Sequence, residues 1–274
     1  MISLELVRSG VEFYGIEELS DRILASAEEI NGSEQLPVFE KRIVDLYEGD
    51  PEALETFYEY HTPDAMFAPG ISPDAPLVAA ALGAAYHREN VKKYRFDEAQ
   101  IALQRVRMKD YITYMAGGNN TTTLPWSANM ARGILIEVGV LQFQLVELDE
   151  KQVIYIHIPG IGEFTEANIR TAVEESRPLV EKYYGLEKPE YICISWLLSP
   201  EVHALLGEKS NIYRFYEMFE VEPGEDCRGD VLWNVFGTND PEAELKEKTS
   251  LQRSIKKAFA EGTAFHIGMG KWLD

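Results

Sequence analysis

The residues best suited to chemistry form a short turn between a strand and a helix. Pro159-Gly160-Ile161-Gly162 follows the β-branched and aromatic run 153–158, and Phe164-Thr165-Glu166 opens a helical pattern that continues to about Tyr184. Such a turn places backbone N–H groups and a helix N-terminus beside the carboxyl end of a strand. The sequence therefore predicts a place for an anion or a phosphate group.

Two further strands position this turn. Residues 185–190 break the helix, and Tyr191 to Leu197 forms a second apolar strand, which completes a βαβ unit. Residues 140–147 read as another strand, joined to the run at 153–158 through Asp149-Glu150 as an antiparallel hairpin. The turn is therefore predicted to lie at the centre of a mixed sheet.

The residues before this sheet read as mostly helical. Apolar residues recur at helical spacing over 19–30 and 38–47, and Asp50-Pro51-Glu52 has the composition of a helix start. We expect a loop at 62–75, a buried helix at 76–86, a further helix at 96–114, and a loop at 117–120. The shift from helix to mixed structure near residues 120–150 predicts two domains, 1–150 and 151–274, and an α+β fold class.

Beyond the βαβ unit the sequence alternates between capped helices and strands. Ser199-Pro200-Glu201 predicts the start of a short helix, and 212–221 alternates apolar with polar residues. A polar loop containing Cys227 is expected next, followed by a strand at 231–236. Thr249-Ser250 caps a last helix, and 265–267 is the final predicted strand.

The charge balance limits the classes of partner. With 46 acidic and 26 basic residues among 274, the net charge is −20, which argues against nucleic acid and anionic membranes as general partners. Two isolated cysteines make neither a zinc pattern nor a disulfide framework, so no metal is expected. No leader segment or membrane-spanning apolar run is evident. We expect a soluble, cytoplasmic protein with a small-molecule substrate, and its oligomeric state stays open.

The order of elements in the second half resembles the catalytic core of GNAT-type N-acyltransferases. The residues that carry the resemblance are Leu141-Gln142-Phe143, His157-Ile158-Pro159, Ser195-Trp196-Leu197-Leu198, Ser210-Asn211-Ile212, Tyr213 to Val221 and Thr249 to Arg253. They are similar to a little-characterised bacterial family of acyltransferase-domain proteins. That resemblance implies a helical N-acyltransferase N-terminal domain, followed by a GNAT-like mixed β-sheet flanked by helices. It also implies transfer of an acyl group from acyl-CoA, as co-substrate, to an unidentified amine.

The resemblance assigns the turn to the acyl-CoA donor. Ile158, Gly160, Ile161, Gly162 and Thr165 would bind the donor, with the pantetheine arm paired along a strand edge and the pyrophosphate on N–H groups. The turn has two glycines and Glu163 where such enzymes have a basic, glycine-rich loop. An ordinary strand-to-helix turn, with Thr165 as N-cap and Gly162 relieving strain, is the alternative.

The resemblance also implies an acid and a base. Tyr216 would donate a proton to the departing thiolate, and His157, whose pKa is expected near neutral, would accept one from the amine. Tyr216 packed on the sheet and His157 as a satisfied core histidine are the structural alternatives. Glu137 and Glu147 are alternative bases, each expected to be solvated, and His203 on a surface helix is a poor candidate.

Four polar or aromatic residues complete the predicted site. Ser195 and Trp196 lie where acyl and acceptor sites meet in GNAT folds, and Asn211 and Arg214 would contact substrate. Trp196 as a core residue and Arg214 in a structural ion pair are the alternatives. The sequence lacks a P-loop, a nucleophile elbow and a zinc helix. A non-catalytic GNAT-fold protein, binding a small molecule or partner in its cleft, is the alternative function.

Overall fold

A computed structural model describes residues 1–49, 54, 57–118, 123–238, 240 and 242–273. The chain divides into two compact units, Met1–Glu137 and Val138–Asp274. The first strand of the predicted hairpin, at 140–147, therefore belongs to the second unit, although the predicted domain boundary lies after residue 150. The helix start predicted at Asp50-Pro51-Glu52 and the loop residues Asn119 and Asn120 lie outside the described residues.

The first unit is helical, as its periodicity predicts. Its labelled helices are α1 (Leu4–Tyr14), α2 (Ser20–Asn31), α3 (Leu36–Tyr47), α4 (Pro63–Met66), α5 (Ala75–Lys93), α6 (Glu98–Ala116) and α7 (Thr123–Ala131). Helix α4 corrects the prediction of a continuous loop at 62–75. The hydroxyl of Thr62 accepts a hydrogen bond from the Ala65 N–H group, so a local N-cap forms one helical turn between the prolines.

Helix α5 is the centre of the helical unit. Alanine and other small residues are buried over most of its first three turns, as its nearly uniform apolar pattern predicts. Helix α1 crosses it closely at Gly10, because a Cβ atom there would lie 2.0 Å from the Ala81 carbonyl oxygen. The Tyr47 hydroxyl donates to the Ala79 carbonyl oxygen at 2.9 Å, which ties α3 to the same helix.

The second unit contains the larger part of a six-stranded sheet. The strands are β1 (Leu135–Val138), β2 (Leu141–Leu148), β3 (Lys151–His157), β4 (Tyr191–Ser195), β5 (Phe219–Asp226) and β6 (His266–Trp272), in the spatial order β1-β2-β3-β4-β6-β5. The predicted β2–β3 hairpin is present. Asp149 and Glu150 form its turn with φ of 49° and 61°, the backbone twist that a two-residue hairpin loop favours.

The helices of this unit connect the strands. They are α8 (Glu166–Tyr184), α9 (Pro200–Ala204), α10 (Asn211–Tyr216), α11 (Arg228–Phe236) and α12 (Ser250–Ala260). Thr165, Ser199 and Thr249 cap α8, α9 and α12 as predicted. The six-stranded mixed sheet with flanking helices, preceded by the helical unit, confirms the predicted α+β fold class.

Two predicted elements after β4 are wrong, namely the strand at 231–236 and the polar loop that precedes it. The predicted strand at 231–236 is helix α11, because Val231, Leu232 and Phe236 are buried at helical spacing and Gly237 ends the helix at φ 75°. The alternating run at 212–221 is helix α10 followed by β5, which extends into the predicted polar loop. Cys227 is not in an open loop but buried at 3% exposure, where it packs with Val231.

Candidate active site

The two parallel strands at the middle of the sheet separate after a short pairing. Strand β3 pairs with β4 only at Ile154↔Tyr191 and Tyr155↔Ile192, and every other neighbouring pair with a recorded register is antiparallel. Beyond Tyr155 the facing edge of β3 is therefore not occupied by β4. An opening of this kind exposes backbone N–H and C=O groups that an extended ligand can pair with.

The predicted turn leads from this opening into helix α8. Gly160 and Gly162 have φ of 70° and 68°, the left-handed region that glycine adopts without strain. A Cβ atom at Gly162 would also lie 2.9 Å from Val140. The Thr165 hydroxyl accepts from the Asn168 N–H group at 3.3 Å and begins the helix. This N-cap is the one proposed in the structural alternative, and it leaves the turn in front of a long helix's N-terminus.

Two arginines converge on the first turn of α8. Arg170 Nε lies 3.1 Å from one carboxylate oxygen of Glu166, and Arg214 Nη1 lies 3.8 Å from the other. Phe164 packs against Phe215 of α10 with ring centroids 5.1 Å apart, which brings α10 to the same turn. Two basic side chains therefore lie at the first turn of α8, each against the Glu166 carboxylate. Arg214 is thus in the ion pair of the structural alternative, and its contact with substrate stays a prediction.

His157 lies at the end of β3 with its ring on a polar neighbour. Its Nε2 atom lies 2.8 Å from Gln144 Oε1. Burial lowers the pKa of His157 to about 4, below the near-neutral value expected from the sequence. The side chain is half-buried. A neutral imidazole at physiological pH can accept a proton, although a lower pKa makes it a weaker base.

Tyr216 ends helix α10 inside a stack of three rings. Its ring stacks on the His203 ring, with centroids 4.0 Å apart and planes at 20°. The Tyr213 ring also stacks on His203, with centroids 4.2 Å apart and planes at 24°. Burial raises the pKa of Tyr216, and the negative charges of Glu217 and Glu201 act in the same direction. Tyr216 is therefore protonated at neutral pH and able to donate.

His157 and α10 lie on opposite faces of the sheet. Tyr191, which bonds Ser176 of α8 at 2.9 Å, pairs with Ile154, so Tyr155 and His157 point to the face away from α8. Leu198 packs on Gly268 from the α8 face, because a Cβ atom at Gly268 would lie 1.9 Å from the Leu198 carbonyl oxygen. Helix α10 contacts the turn Trp196–Leu198, so it lies on the α8 face as well. Groups on the two faces can cooperate only through the opening between β3 and β4.

Some of the remaining predicted residues have structural contacts, and others are exposed. The Ser195 hydroxyl accepts from the Leu197 N–H group at 3.1 Å and caps the short 3-10 turn Trp196–Leu198. Trp196 is partly buried against the apolar cluster that contains Val202 and Phe265. Asn211 is exposed at the start of α10. Glu147 is exposed as expected, whereas Glu137 is buried in the helical unit and bonds both carboxylate oxygens to Arg107 at 2.8 Å.

A histidine–carboxylate pair was missed by sequence reasoning. His266 Nδ1 lies 2.8 Å from Glu201 Oε1, and Glu201 Oε2 accepts from the Ser199 hydroxyl at 2.8 Å. The two partners are 65 positions apart, and no local pattern connects them. His203, a poor candidate on its surface helix, stacks on Tyr213 and Tyr216 of another helix, and no local pattern connects these three residues either. Within the described part of the chain, no three His, Cys, Asp or Glu residues gather as a metal site.

The fold and the opening between two parallel strands define a GNAT-like protein. The profile of the GNAT-like C-terminal domain matches residues 135–272, half of the chain. The chain therefore belongs to the family of proteins with a GNAT-like C-terminal domain. No curated protein matches the sequence at a significant level. In the described ranges, no helix is long and apolar enough to cross a bilayer.

Solved acyltransferase structures share the fold over nearly the whole chain. One, in complex with CoA and 10C-Teicoplanin, has a TM-score of 0.76 at 17% identity, covering 97% of this chain and 87% of its own. An acyltransferase mutant in complex with octanoyl-CoA has a TM-score of 0.74 at 18% identity, covering 98% and 88%. A third, in complex with decanoyl-CoA, has a TM-score of 0.67 at 18% identity, covering 86% and 76%.

Proposed function

We propose that this protein is an acyltransferase that moves an acyl group from acyl-CoA to an amine. The observation that carries the proposal is the opening between β3 and β4, placed beside the N-terminus of α8 and two arginines. The solved structures of similar fold hold CoA, octanoyl-CoA or decanoyl-CoA, which supports acyl-CoA as the donor.

The donor would bind along the free edge of β3. The pantetheine amides pair with the backbone at Ile158 as an added strand would, and the pyrophosphate lies at the turn Gly160-Ile161-Gly162. Thr165 begins α8 next to this turn by accepting from the Asn168 N–H group, so the positive end of the helix dipole faces the phosphates. Arg170 and Arg214 add positive charge in a protein of net charge −20, so they offset the repulsion of the phosphates.

Transfer then needs one new bond and one broken bond. The amine nitrogen attacks the thioester carbonyl carbon, the C–N bond forms, and the C–S bond breaks with its electron pair on sulfur. His157 takes the proton that the amine nitrogen loses, and Tyr216 gives its proton to the thiolate. The two groups act from opposite faces of the sheet, so the thioester must lie in the opening between them.

The acceptor class rests on this acid–base arrangement. Two of the solved neighbours hold teicoplanin or 10C-Teicoplanin, which supports a small molecule as the acceptor. We assign Ser195 and Trp196 to the acceptor side, at the carboxyl end of β4, with Asn211 beside the site. The helical unit is proposed as the N-terminal domain of the acyltransferase. A cytoplasmic location follows from the use of CoA thioesters, and no role for nucleic acid, a membrane or a metal is proposed.

Ligand binding and turnover test the proposal separately. Unfolding is measured with CoA, octanoyl-CoA and decanoyl-CoA; a specific ligand at roughly a hundredfold excess over its Kd adds about 2.7 kcal/mol of stability. Free thiol release is then followed with a panel of primary amines. Stabilisation together with amine-dependent thiol release supports the transferase. Stabilisation with no turnover for any amine supports the non-catalytic alternative, and no stabilisation by any CoA ester overturns both the donor site and the reaction.

A further inference from the structure

The ring of His203 lies between two tyrosine rings. Tyr213 and Tyr216 are three positions apart on α10, so both rings leave the same face of the helix, and His203 of α9 fills the space between them. The interplanar angles of 24° and 20° make this a parallel stack on both sides of the imidazole. Each tyrosine ring can therefore turn about its side-chain bonds only by breaking a stack.

The ion pair of His203 is not what holds the imidazole in place. His203 Nε2 lies 2.9 Å from Glu217 Oε1. The two atoms are not aligned for a hydrogen bond, and Nε2 has no hydrogen-bond partner among the described residues. The Glu217 side chain is 54% exposed, whereas that of His203 is 21% exposed. Ring contact is therefore the dominant interaction of His203.

Helix α10 does not need the stack for its own position. Phe215 is fully buried between Phe164 and Phe219, with ring centroids at 5.1 and 4.9 Å. This contact lies on another side of α10 and fixes the helix against the turn before α8 and against β5. What the stack adds is the direction of the tyrosine side chains, and only Tyr216 has a proposed chemical role.

We propose that His203 is a positioning residue, which holds the Tyr216 hydroxyl in the direction of the departing thiolate. The inference rests on the proposed function, because it gives a purpose to the orientation of the proposed acid. His203 itself donates no proton to the substrate. Its contribution is to remove ring orientations of Tyr216 that place the hydroxyl away from sulfur.

Three variants separate stacking from charge in thiol-release kinetics. His203→Leu removes the aromatic ring at similar volume, and we expect kcat to fall about tenfold with KM for acyl-CoA within about twofold. His203→Phe keeps an aromatic ring and restores most of kcat. Glu217→Gln removes the carboxylate beside His203 but keeps all three rings, and we expect a smaller change in kcat than in His203→Leu; a loss as large as in His203→Leu would contradict a role through stacking. His61→Leu, at an exposed histidine of the helical unit, is the control for loss of a histidine.

Tyrosine ring signals give a readout that does not depend on catalysis. With ring-labelled tyrosine, the NMR signals of Tyr213 and Tyr216 shift in His203→Leu and keep stacked positions in His203→Phe. Wild-type kcat in His203→Leu, while Tyr216→Phe is impaired, overturns the inference and leaves the proposed acid standing. Unchanged kcat in Tyr216→Phe overturns both, because no acid is then left to position. Equal loss in His203→Leu and His203→Phe also contradicts a role through stacking.

Discussion

Titratable side chains are used differently in the two units of the chain. In the helical unit, the buried examples among the described residues bond to one another or to polar neighbours. His87 lies between the Tyr14 hydroxyl at 3.3 Å and Gln104 at 2.9 Å, and Glu137 is paired with Arg107. In the mixed unit, the residues proposed for the site are half-buried, as His157 and Tyr216 are, or exposed, as the arginines of α8 and α10 are. The buried pair Arg107–Glu137 therefore has a structural explanation within the helical unit, whereas the two arginines of the candidate site remain open to a ligand from solvent.

The end of helix α1 shows the structural use of charge most clearly. Its last turn contains no basic residue, and cations from other helices reach three carbonyl groups at or near its end. Arg88 donates to the Ser9 carbonyl at 2.7 Å, Arg105 donates to the Phe13 carbonyl at 2.5 Å, and Lys109 donates to the Gly15 carbonyl. These cations offset the negative end of the helix dipole, so their clustering in an acidic chain needs no ligand to explain it.

The largest predicted effect breaks the buried ion pair of the helical unit. Arg107→Met leaves the Glu137 carboxylate, 4% exposed, without its partner. We expect the free energy of unfolding, measured by urea denaturation, to fall by about 4 kcal/mol. Lys41→Met, which removes an exposed pair with Asp45, should change it by less than about 0.5 kcal/mol. Equal effects of the two variants would contradict a structural role specific to the buried pair.

At Tyr216 we expect a loss of activity without a loss of stability. Tyr216→Phe should lower kcat for amine-dependent thiol release about a hundredfold, because the thiolate then leaves without a proton donor. Its urea midpoint should stay close to that of the wild type, since the ring and its stack on His203 remain. The control is Tyr114→Phe, at an exposed tyrosine of the helical unit. A stability loss without a kcat loss would place Tyr216 among the structural residues.

A smaller change in donor affinity is expected at the arginines of the turn. Arg214→Gln removes one of the two cations at the first turn of α8 and should raise the Kd for CoA about tenfold, as measured by calorimetry. Arg170→Gln is expected to act in the same direction. Arg8→Gln, at an exposed arginine of α1, lowers the net charge equally and serves as control. Similar losses in all three variants would indicate a general charge effect instead of a site.

The smallest predicted effect is the pH dependence of stability that buried His87 gives to the helical unit. Burial lowers the pKa of His87 to about 4, with the charges of Arg105 and Arg88 acting in the same direction. The unfolded chain binds a proton there near pH 6.5, so the stability contributed by neutral His87 is present above that pH and falls as the pH drops. Between about pH 7.5 and about pH 5.5 the loss is about 1 kcal/mol. His87→Gln should reduce this pH dependence and His61→Gln should not; identical slopes would contradict the assignment.

Much of the fold follows from local signals, and the errors have a common cause. Thr165, Ser199 and Thr249 each form the predicted N-cap, because capping depends on residues within one turn. The predicted strand at 231–236 is wrong because a short apolar run fits either a strand or a helix until its packing partners are known. Buried Cys227 is a second example, since the apolar cluster around it also contains Val202 of α9, Ile255 of α12 and Phe265.

The candidate site likewise has features that local sequence encodes and features that depend on tertiary contacts. The sequence by itself determined the strand, the glycine turn and the N-terminus of α8, because all three are encoded within about fifteen consecutive residues. Only the tertiary structure decided that Arg214 reaches this turn, that His203 stacks on Tyr216, and that β3 separates from β4. These contacts join residues from different elements, and chain connectivity does not specify side-chain distances between them. The physical reason is that packing, and not local propensity, sets those distances.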